Sequence, residues 1–129
     1  METVLISIRA RHLNNIRRGK KKYELRKSKP RVEPPFRVLC CVSGTAGTVE
    51  AEFVVDRIAF MTEAPAERIA QLACITPEEA RAYRGESGDL YGWHIMPHTL
   101  IDYKELGCER NITDYGLKRP PQGFRYVDE

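Results

Sequence analysis

The sequence predicts a mixed α+β domain, built as a small curved sheet or barrel of about five to six short strands with about three helices at its rim. Apolar and β-branched runs of strand length recur along the chain, and two helical patterns lie between them near the middle. No strand follows another at regular βαβ spacing, which argues against a doubly wound parallel sheet. The length of 129 residues fits one domain, so we expect residues 1–129 to share a single core.

The first part of the chain has the pattern of strand, helix and strand. Residues 3–8 are apolar or β-branched almost throughout, which predicts a strand. Residues 9–18 carry a thin apolar stripe at helical spacing, and Gly19 follows where a left-handed helix end belongs. We therefore expect the helix to stop at Gly19 and a second strand to occupy residues 23–26.

The middle strands differ in how deeply they are expected to be buried. Residues 27–36 contain three prolines, which predicts an irregular loop. Residues 37–42 form a nearly continuous apolar run, which predicts burial on both faces. Residues 48–58 begin as an alternating pattern, so we expect one long strand, bent or bulged near residues 54–55.

A helical pair is predicted between the strands. Residues 64–75 have the apolar spacing of a helix, and Thr76 opens a second one with proline next and glutamate at the third helical position. That second helix should end at Gly85. Beyond it the pattern predicts a strand at 90–96, a continuation of the sheet at 99–103, a turn at 104–107 and a short strand at the end of 119–127.

Composition excludes several classes of protein. Hydrophobic residues make up 42% and charged residues 30% of the chain, which is typical of globular domains and not of disordered ones. No apolar run approaches the roughly 18 residues of a spanning helix, so we expect no membrane association and a cytoplasmic location. The four cysteines lack metal-ligand spacing, which favours ordinary buried thiols over disulfides or metal ligands: Cys40, Cys41, Cys74 and Cys108.

Positive charge is concentrated near the start of the chain. Residues 9–37 hold more than half of the 21 lysines and arginines, but only two acids, Glu24 and Glu33. Such an asymmetry predicts a basic face and a phosphate-rich partner. Arg9 and Arg11, at the end of the first strand, either extend this basic lip or are simply solvated.

The stretch from Gly19 to Arg26 is the leading candidate for a site. The helix end delivers Lys21 to the mouth of the sheet, and strand alternation places Glu24 and Arg26 on one face. Lysine beside a carboxylate can hold an anion or, when desolvated, transfer protons. The alternative is a surface ion-pair network worth about 0 to 1 kcal/mol.

Two aromatic positions in the strand at 90–96 leave alternatives open. Trp93 could stack on a nucleic-acid base, or it could pack in the core together with Tyr91 and Ile95. His94 would then lie on the opposite face, as a proton carrier or an ordinary surface histidine. His94 and His98 share an i, i+4 spacing, but Pro97 makes a helical metal site improbable, so no metal is predicted. No phosphate-binding P-loop and no serine-hydrolase elbow occur.

The motif Gly19-x-Lys21-x-x-Glu24-x-Arg26 resembles the G-x-K-x-x-E-x-R signature of ASCH domains, relatives of the PUA fold. It also resembles them in position, after an initial strand and helix. The strands at 6–8, 47–53 and 91–95 and the ending at 119–122 extend the resemblance, which is greatest to phage and bacterial members. It implies a PUA-like β-barrel whose cleft, lined by the signature residues, binds RNA or a modified nucleoside without a cofactor.

Some ASCH relatives are similar to ribonucleases, and another branch hydrolyses acetylcytidine with a lysine, a threonine and a glutamate. The lysine of that branch corresponds to Lys21, but Glu24 stands where its threonine would be. The resemblance therefore favours an RNA- or nucleotide-binding module with candidate ligand residues Arg9, Gly19, Lys21, Glu24, Arg26 and Trp93. One alternative is a small metal-independent hydrolase with Lys21 and Glu24 as a catalytic proton-transfer pair. Another is a protein-interaction module whose basic face meets an acidic partner; the oligomeric state is left open.

Overall fold

The computed structural model describes residues 1–86 and 88–128. Eight strands and three α-helices are seen in these ranges. The strands are β1 (Thr3–Ile8), β2 (Tyr23–Arg26), β3 (Phe36–Val42), β4 (Thr48–Phe60), β5 (Tyr91–Ile95), β6 (Ile101–Asp102), β7 (Arg110–Asn111) and β8 (Phe124–Val127). The helices are α1 (Ala10–Arg17), α2 (Ala66–Ala73) and α3 (Pro77–Arg84), and a 3-10 helix spans Ile112–Tyr115.

One mixed sheet contains all of these strands. Its order is β2-β5-β4-β3-β1-β8, and the two-residue strands β6 and β7 pair with β4. β1 and β3 are parallel, because the chain passes through α1 and β2 between them, whereas the other paired strands are antiparallel. The α+β class is confirmed, but the expectation of five to six strands was too low.

The sheet is not closed, so the predicted barrel is not confirmed. Within the described residues, the strand order ends at β2 on one side and at β8 on the other. A side chain bridges these ends where a backbone ladder would be needed for closure. Arg26 of β2 donates from Nη2 to the Ser7 carbonyl in β1 at 3.0 Å, and from Nη1 towards the Gly123 carbonyl just before β8 at 3.4 Å.

The core explains the long apolar runs in β1 and β3. Alternate residues of these strands face two different clusters, one against α1 and one against the 3-10 helix. Leu5 and Leu39, for example, belong to the second cluster, while their neighbours Val4 and Val38 belong to the first. Burial on both faces, predicted for the run at 37–42, is confirmed.

The helices end at the predicted signals. Gly19 has φ 71° and its N–H donates to the Ile16 carbonyl at 2.9 Å, so it terminates α1 in the left-handed conformation that glycine adopts without strain. Thr76 and Glu79 form the predicted reciprocal capping box at the start of α3. In β4 the register against β5 shifts between Val55 and Arg57, next to the predicted bend.

The prediction of buried cysteines was partly wrong. All four cysteines are free thiols, and Cys40 and Cys41 are buried in β3. Cys74 is only half-buried, and Cys108 is exposed because it lies in a loop outside the sheet. Across the described ranges, no helix has the length and apolar character needed to cross a membrane.

Candidate functional site

A cleft of about 580 Å³ opens between the ends of β1 and β2 and the helices α1 and α3. Four of the six predicted ligand residues line it: Arg9, Lys21, Glu24 and Arg26. Arg9 sits at the N-terminal end of α1, whereas the other three come from β2 and the turn before it. The short motif and the more distant Arg9 therefore share one concave surface.

Lys21 is buried at the inner wall of the cleft. The end of α1 fixes its backbone, because its N–H donates to the Asn15 carbonyl at 3.1 Å. Only 4% of the residue is exposed, and Nζ donates to the Ala73 carbonyl at 2.9 Å, at the C-terminal end of α2. Burial lowers the pKa of the Lys21 ammonium, and the negative charge of Glu24 opposes that shift. Lys21 is thus a largely desolvated cation held by a helix end.

Glu24 connects Lys21 to Arg26. Its Oε1 lies 3.6 Å from Lys21 Nζ, and its Oε2 accepts from Arg26 Nε at 2.9 Å and lies 2.8 Å from Nη2. Glu24 is 6% exposed. We call Lys21, Glu24 and Arg26 the cleft array; it holds two cations around one carboxylate.

The two arginines of the basic lip behave differently. Arg11 forms an ion pair with Glu79 of α3 across the cleft. This hydrogen bond, together with the backbone N–H of Thr76, lowers the pKa of Glu79 to about 2. Arg9 is exposed, and its side chain has no partner in residues 1–86 and 88–128. Arg9 is therefore the cation at the rim with unused hydrogen-bonding capacity.

Two of the predicted residues lie outside the cleft. Gly19 does not line it, and its part is to end α1 so that Lys21 can point inward. Trp93 corrects the stacking expectation: the residue has 0% exposure and packs edge-to-face on Phe36 and Phe124 in the core. Strand alternation gave the face of Trp93 correctly, and that face points to the core and not to the cleft.

The structure adds two cleft residues that sequence reasoning missed. His12 of α1 lines the cleft, and its Nδ1 is buried without a hydrogen-bond partner among the described residues. Burial and the nearby charge of Lys21 lower the pKa of His12. Tyr83 of α3 also lines the cleft, is 43% exposed, and is fixed by a hydrogen bond from its hydroxyl to the Leu25 carbonyl at 3.1 Å. The sequence predicts that Tyr83 lies one helical turn after Glu79, but it does not predict that α3 packs beside β2.

The two histidines at i, i+4 spacing have different surroundings. His94 Nδ1 lies 2.6 Å from Asp56 Oδ1, and His98 follows in a separate turn with φ 64°. No group of three or more histidine, cysteine, aspartate or glutamate side chains is arranged as a ligand set in the described part of the chain.

Comparisons with known proteins bear on the fold. No protein-family model matches the sequence, and no curated protein matches it significantly. The ASCH protein of Zymomonas mobilis superposes with a TM-score of 0.76 at 17% identity, over 98% of this chain and 88% of the other. A serine-to-alanine variant of that protein gives 0.76 at 17%, over 98% and 89%, and a tyrosine-to-phenylalanine variant gives 0.77 at 16%, over 100% and 92%. The chain therefore has the fold of an ASCH domain, as its signature motif predicted.

Proposed function

We propose that this chain binds RNA or a nucleotide, holding one nucleotide or modified nucleoside in the cleft. The observation that carries the proposal is the buried cleft array of Lys21, Glu24 and Arg26, which opens into about 580 Å³ beside the free cation Arg9. Burying a charge costs desolvation free energy, which must be offset by interactions within the fold or with a ligand. The volume lies within the range of small-molecule sites, roughly 300 to 1,000 Å³.

The charge of the cleft suits a phosphate. Four cations line it, Arg9, Arg11, Lys21 and Arg26, against the two carboxylates of Glu24 and Glu79. Arg11 is paired with Glu79, which leaves Arg9 to meet a phosphate at the rim. Arginine presents a planar set of donors that matches phosphate oxygens.

The inner part of the cleft suits a base. Glu24 can accept hydrogen bonds from base amino groups, since its Oε1 lies 3.6 Å from Lys21 Nζ, too far for a hydrogen bond to saturate it. Tyr83 supplies an exposed aromatic ring on which a base can stack, the role that Trp93 does not fill. The RNA binding implied by the resemblance to ASCH domains supports the same assignment.

Arg9→Ala is the direct test of this proposal, with Arg18→Ala as the matched control. Both arginines are exposed ends of α1, but only Arg9 lines the cleft. We expect Arg9→Ala to lower affinity for a single-stranded RNA by about fivefold, as one exposed charge pair is worth about 1 kcal/mol. The slope of log affinity against log salt should fall by about 0.7. Equal affinities and salt slopes for the two variants would overturn the assignment of the cleft.

A second candidate, a metal-independent hydrolase, is favoured by one observation, the lowered pKa of buried Lys21 next to Glu24. A lysine with a lowered pKa can exchange a proton with a carboxylate partner more easily. Incubation with RNA and with acetylcytidine should then yield product that Lys21→Met and Glu24→Gln both abolish. Product formed equally by these variants, or by none of the proteins, would dismiss this candidate and leave binding as the function.

A further inference from the structure

A second concave surface of about 600 Å³ is formed by residues 116–125, and we term it the tail groove. Three cations line it, Lys118, Arg119 and Arg125, and no carboxylate does. All three are exposed, and none pairs with a carboxylate in the described ranges. The tail groove is thus a concentration of positive charge that no carboxylate of residues 1–86 and 88–128 pairs with.

The tail groove adjoins the cleft. Gln122 lines both concave surfaces. On one side of Gln122, the Pro121 carbonyl accepts a hydrogen bond from Ser7 Oγ at 2.6 Å, and on the other the Gly123 carbonyl receives Arg26 Nη1 at 3.4 Å. Ser7 and Arg26 both line the cleft. The tail segment is therefore attached directly to the cleft wall.

The cations of the tail groove exceed what a single nucleotide requires. A mononucleotide carries one phosphate group, and Arg9 at the rim of the cleft already faces it under the proposed function. A polynucleotide brings one further phosphate with each neighbouring nucleotide. Several exposed cations that no described carboxylate pairs with, next to a nucleotide-sized cleft, are typical of proteins that follow a single-stranded backbone.

We propose that the tail groove binds the backbone phosphates of the nucleotides adjacent to the one in the cleft, so that the ligand is single-stranded RNA and not a free nucleotide. This inference rests on the proposed function of the cleft. Two consecutive prolines, Pro120 and Pro121, restrict the backbone that carries Arg119. The restricted segment loses less conformational entropy when it contacts a phosphate.

The experiment compares two ligands and two double variants. The ligands are uridine 5′-monophosphate and an unstructured oligouridylate of about ten nucleotides. The test variant is Lys118→Ala/Arg119→Ala, and the control is Arg18→Ala/Arg68→Ala, which removes the same charge from exposed positions outside both concave surfaces. We expect the test variant to bind the oligonucleotide at least about fivefold more weakly and to reduce its salt slope by about 1.4. Mononucleotide affinity should change by less than about twofold in both variants.

Each outcome decides between the two proposals. If the test and control variants weaken oligonucleotide binding equally, net charge alone acts, and the tail groove is not a subsite. If the test variant weakens mononucleotide and oligonucleotide binding equally, its effect reaches the cleft itself, and the inference also fails. In either case the function proposed for the cleft stands, because the wild-type chain still binds the mononucleotide. Binding of neither ligand by the wild-type chain would overturn both proposals.

Discussion

Two charge networks border helix α1, and they use similar residues for different ends. One is the cleft array of Lys21, Glu24 and Arg26. The other lies at the C-terminal end of α1, where Arg17 meets Glu50 of β4 and Asp102 of β6; we call it the sheet network. Each joins cations to carboxylates that are largely buried.

The sheet network satisfies four of the five N–H donors of its arginine. Arg17 donates from Nε to Asp102 at 2.7 Å, from Nη2 to Asp102 at 3.1 Å and to Glu50 at 3.0 Å, and from Nη1 to Asn14 at 2.8 Å. These hydrogen bonds raise the pKa of Arg17 and lower that of Asp102. The network therefore leaves one Nη1 N–H of Arg17 without an acceptor among the described residues, and it ties α1 to two strands.

The cleft array leaves Lys21 incompletely paired. Lys21 Nζ has one carbonyl at 2.9 Å and one carboxylate oxygen at 3.6 Å, and it faces the cleft. Burial lowers its pKa, whereas hydrogen bonding raises that of Arg17. The contrast teaches that a buried charge points to a ligand when its partners are too few and a cavity lies beside it.

The largest effect we predict is on the stability of the sheet network. Arg17→Met keeps the side-chain stem and removes the guanidinium, which leaves Asp102 without its cation and Glu50 with Lys104 Nζ at 3.9 Å. We expect a loss of about 2 to 3 kcal/mol in the free energy of unfolding. Urea denaturation measures it, with exposed Arg18→Met as control. RNA affinity of the folded protein should stay within about twofold of wild type.

The second-largest effect we predict is on RNA affinity, with little change in the free energy of unfolding. Lys21→Met removes an ammonium whose burial costs desolvation free energy, while Glu24 keeps Arg26 as its partner. We expect the free energy of unfolding to change by less than about 1 kcal/mol and RNA affinity to fall by at least about tenfold. Lys20→Met, on the exposed neighbour, is the control. Strong destabilisation with normal RNA binding would instead make the cleft array a structural network like that of Arg17.

A smaller effect is expected from the aromatic wall of the cleft. Tyr83→Leu keeps an apolar side chain of similar reach but removes the ring, so a stacked base loses about 1 kcal/mol, or roughly fivefold in affinity. Tyr83→Phe keeps the ring and should bind RNA almost normally. Phe60→Leu is the control, because it alters an aromatic residue that is 60% exposed and does not line the cleft. Equal losses for Tyr83→Leu and Tyr83→Phe would show that the hydroxyl, not stacking, matters.

Much of the fold could be predicted because its signals are local. The apolar runs of β1 and β3, the glycine after α1 and the capping box at Thr76 each lie within a few residues. The strand β7 could not be predicted, since it has two residues and exists through its pairing with β4, whereas β6 falls within the predicted continuation of the sheet at 99–103. That the sheet stays open also escaped prediction, because the contact between its ends is made by a side chain, Arg26, and not by a backbone ladder.

The candidate site also has a part that could be predicted from the sequence and a part that could not. The spacing of Lys21, Glu24 and Arg26 along the chain already placed them together, since a strand and the turn before it fix their geometry. The acceptor of Lys21, the Ala73 carbonyl, is 52 residues away, and its approach depends on how α2 packs. Trp93 shows the limit of alternation, which identifies two faces of a strand but does not say which one faces the core.

The smallest effect we predict is a difference between the two networks in how the free energy of unfolding depends on pH. Hydrogen bonds from Arg17 lower the pKa of folded Asp102 below its ordinary value of 3.8, so its contribution to stability is fully present above that pH. The contribution is lost as the pH falls through the folded pKa. We expect the difference in unfolding free energy between wild type and Asp102→Asn to narrow as the pH falls below about 4. Glu79, with its pKa lowered to about 2, titrates in the same range in both proteins, so only the difference between them isolates Asp102.

Lys21→Met should show no such narrowing at acid pH. The lowered pKa of Lys21 changes the free energy of unfolding only at pH values between the folded pKa and 10.5. There the folded state releases its proton first, and stability rises with pH. A narrowing at acid pH that Lys21→Met also shows would mean that the two networks are coupled and not independent.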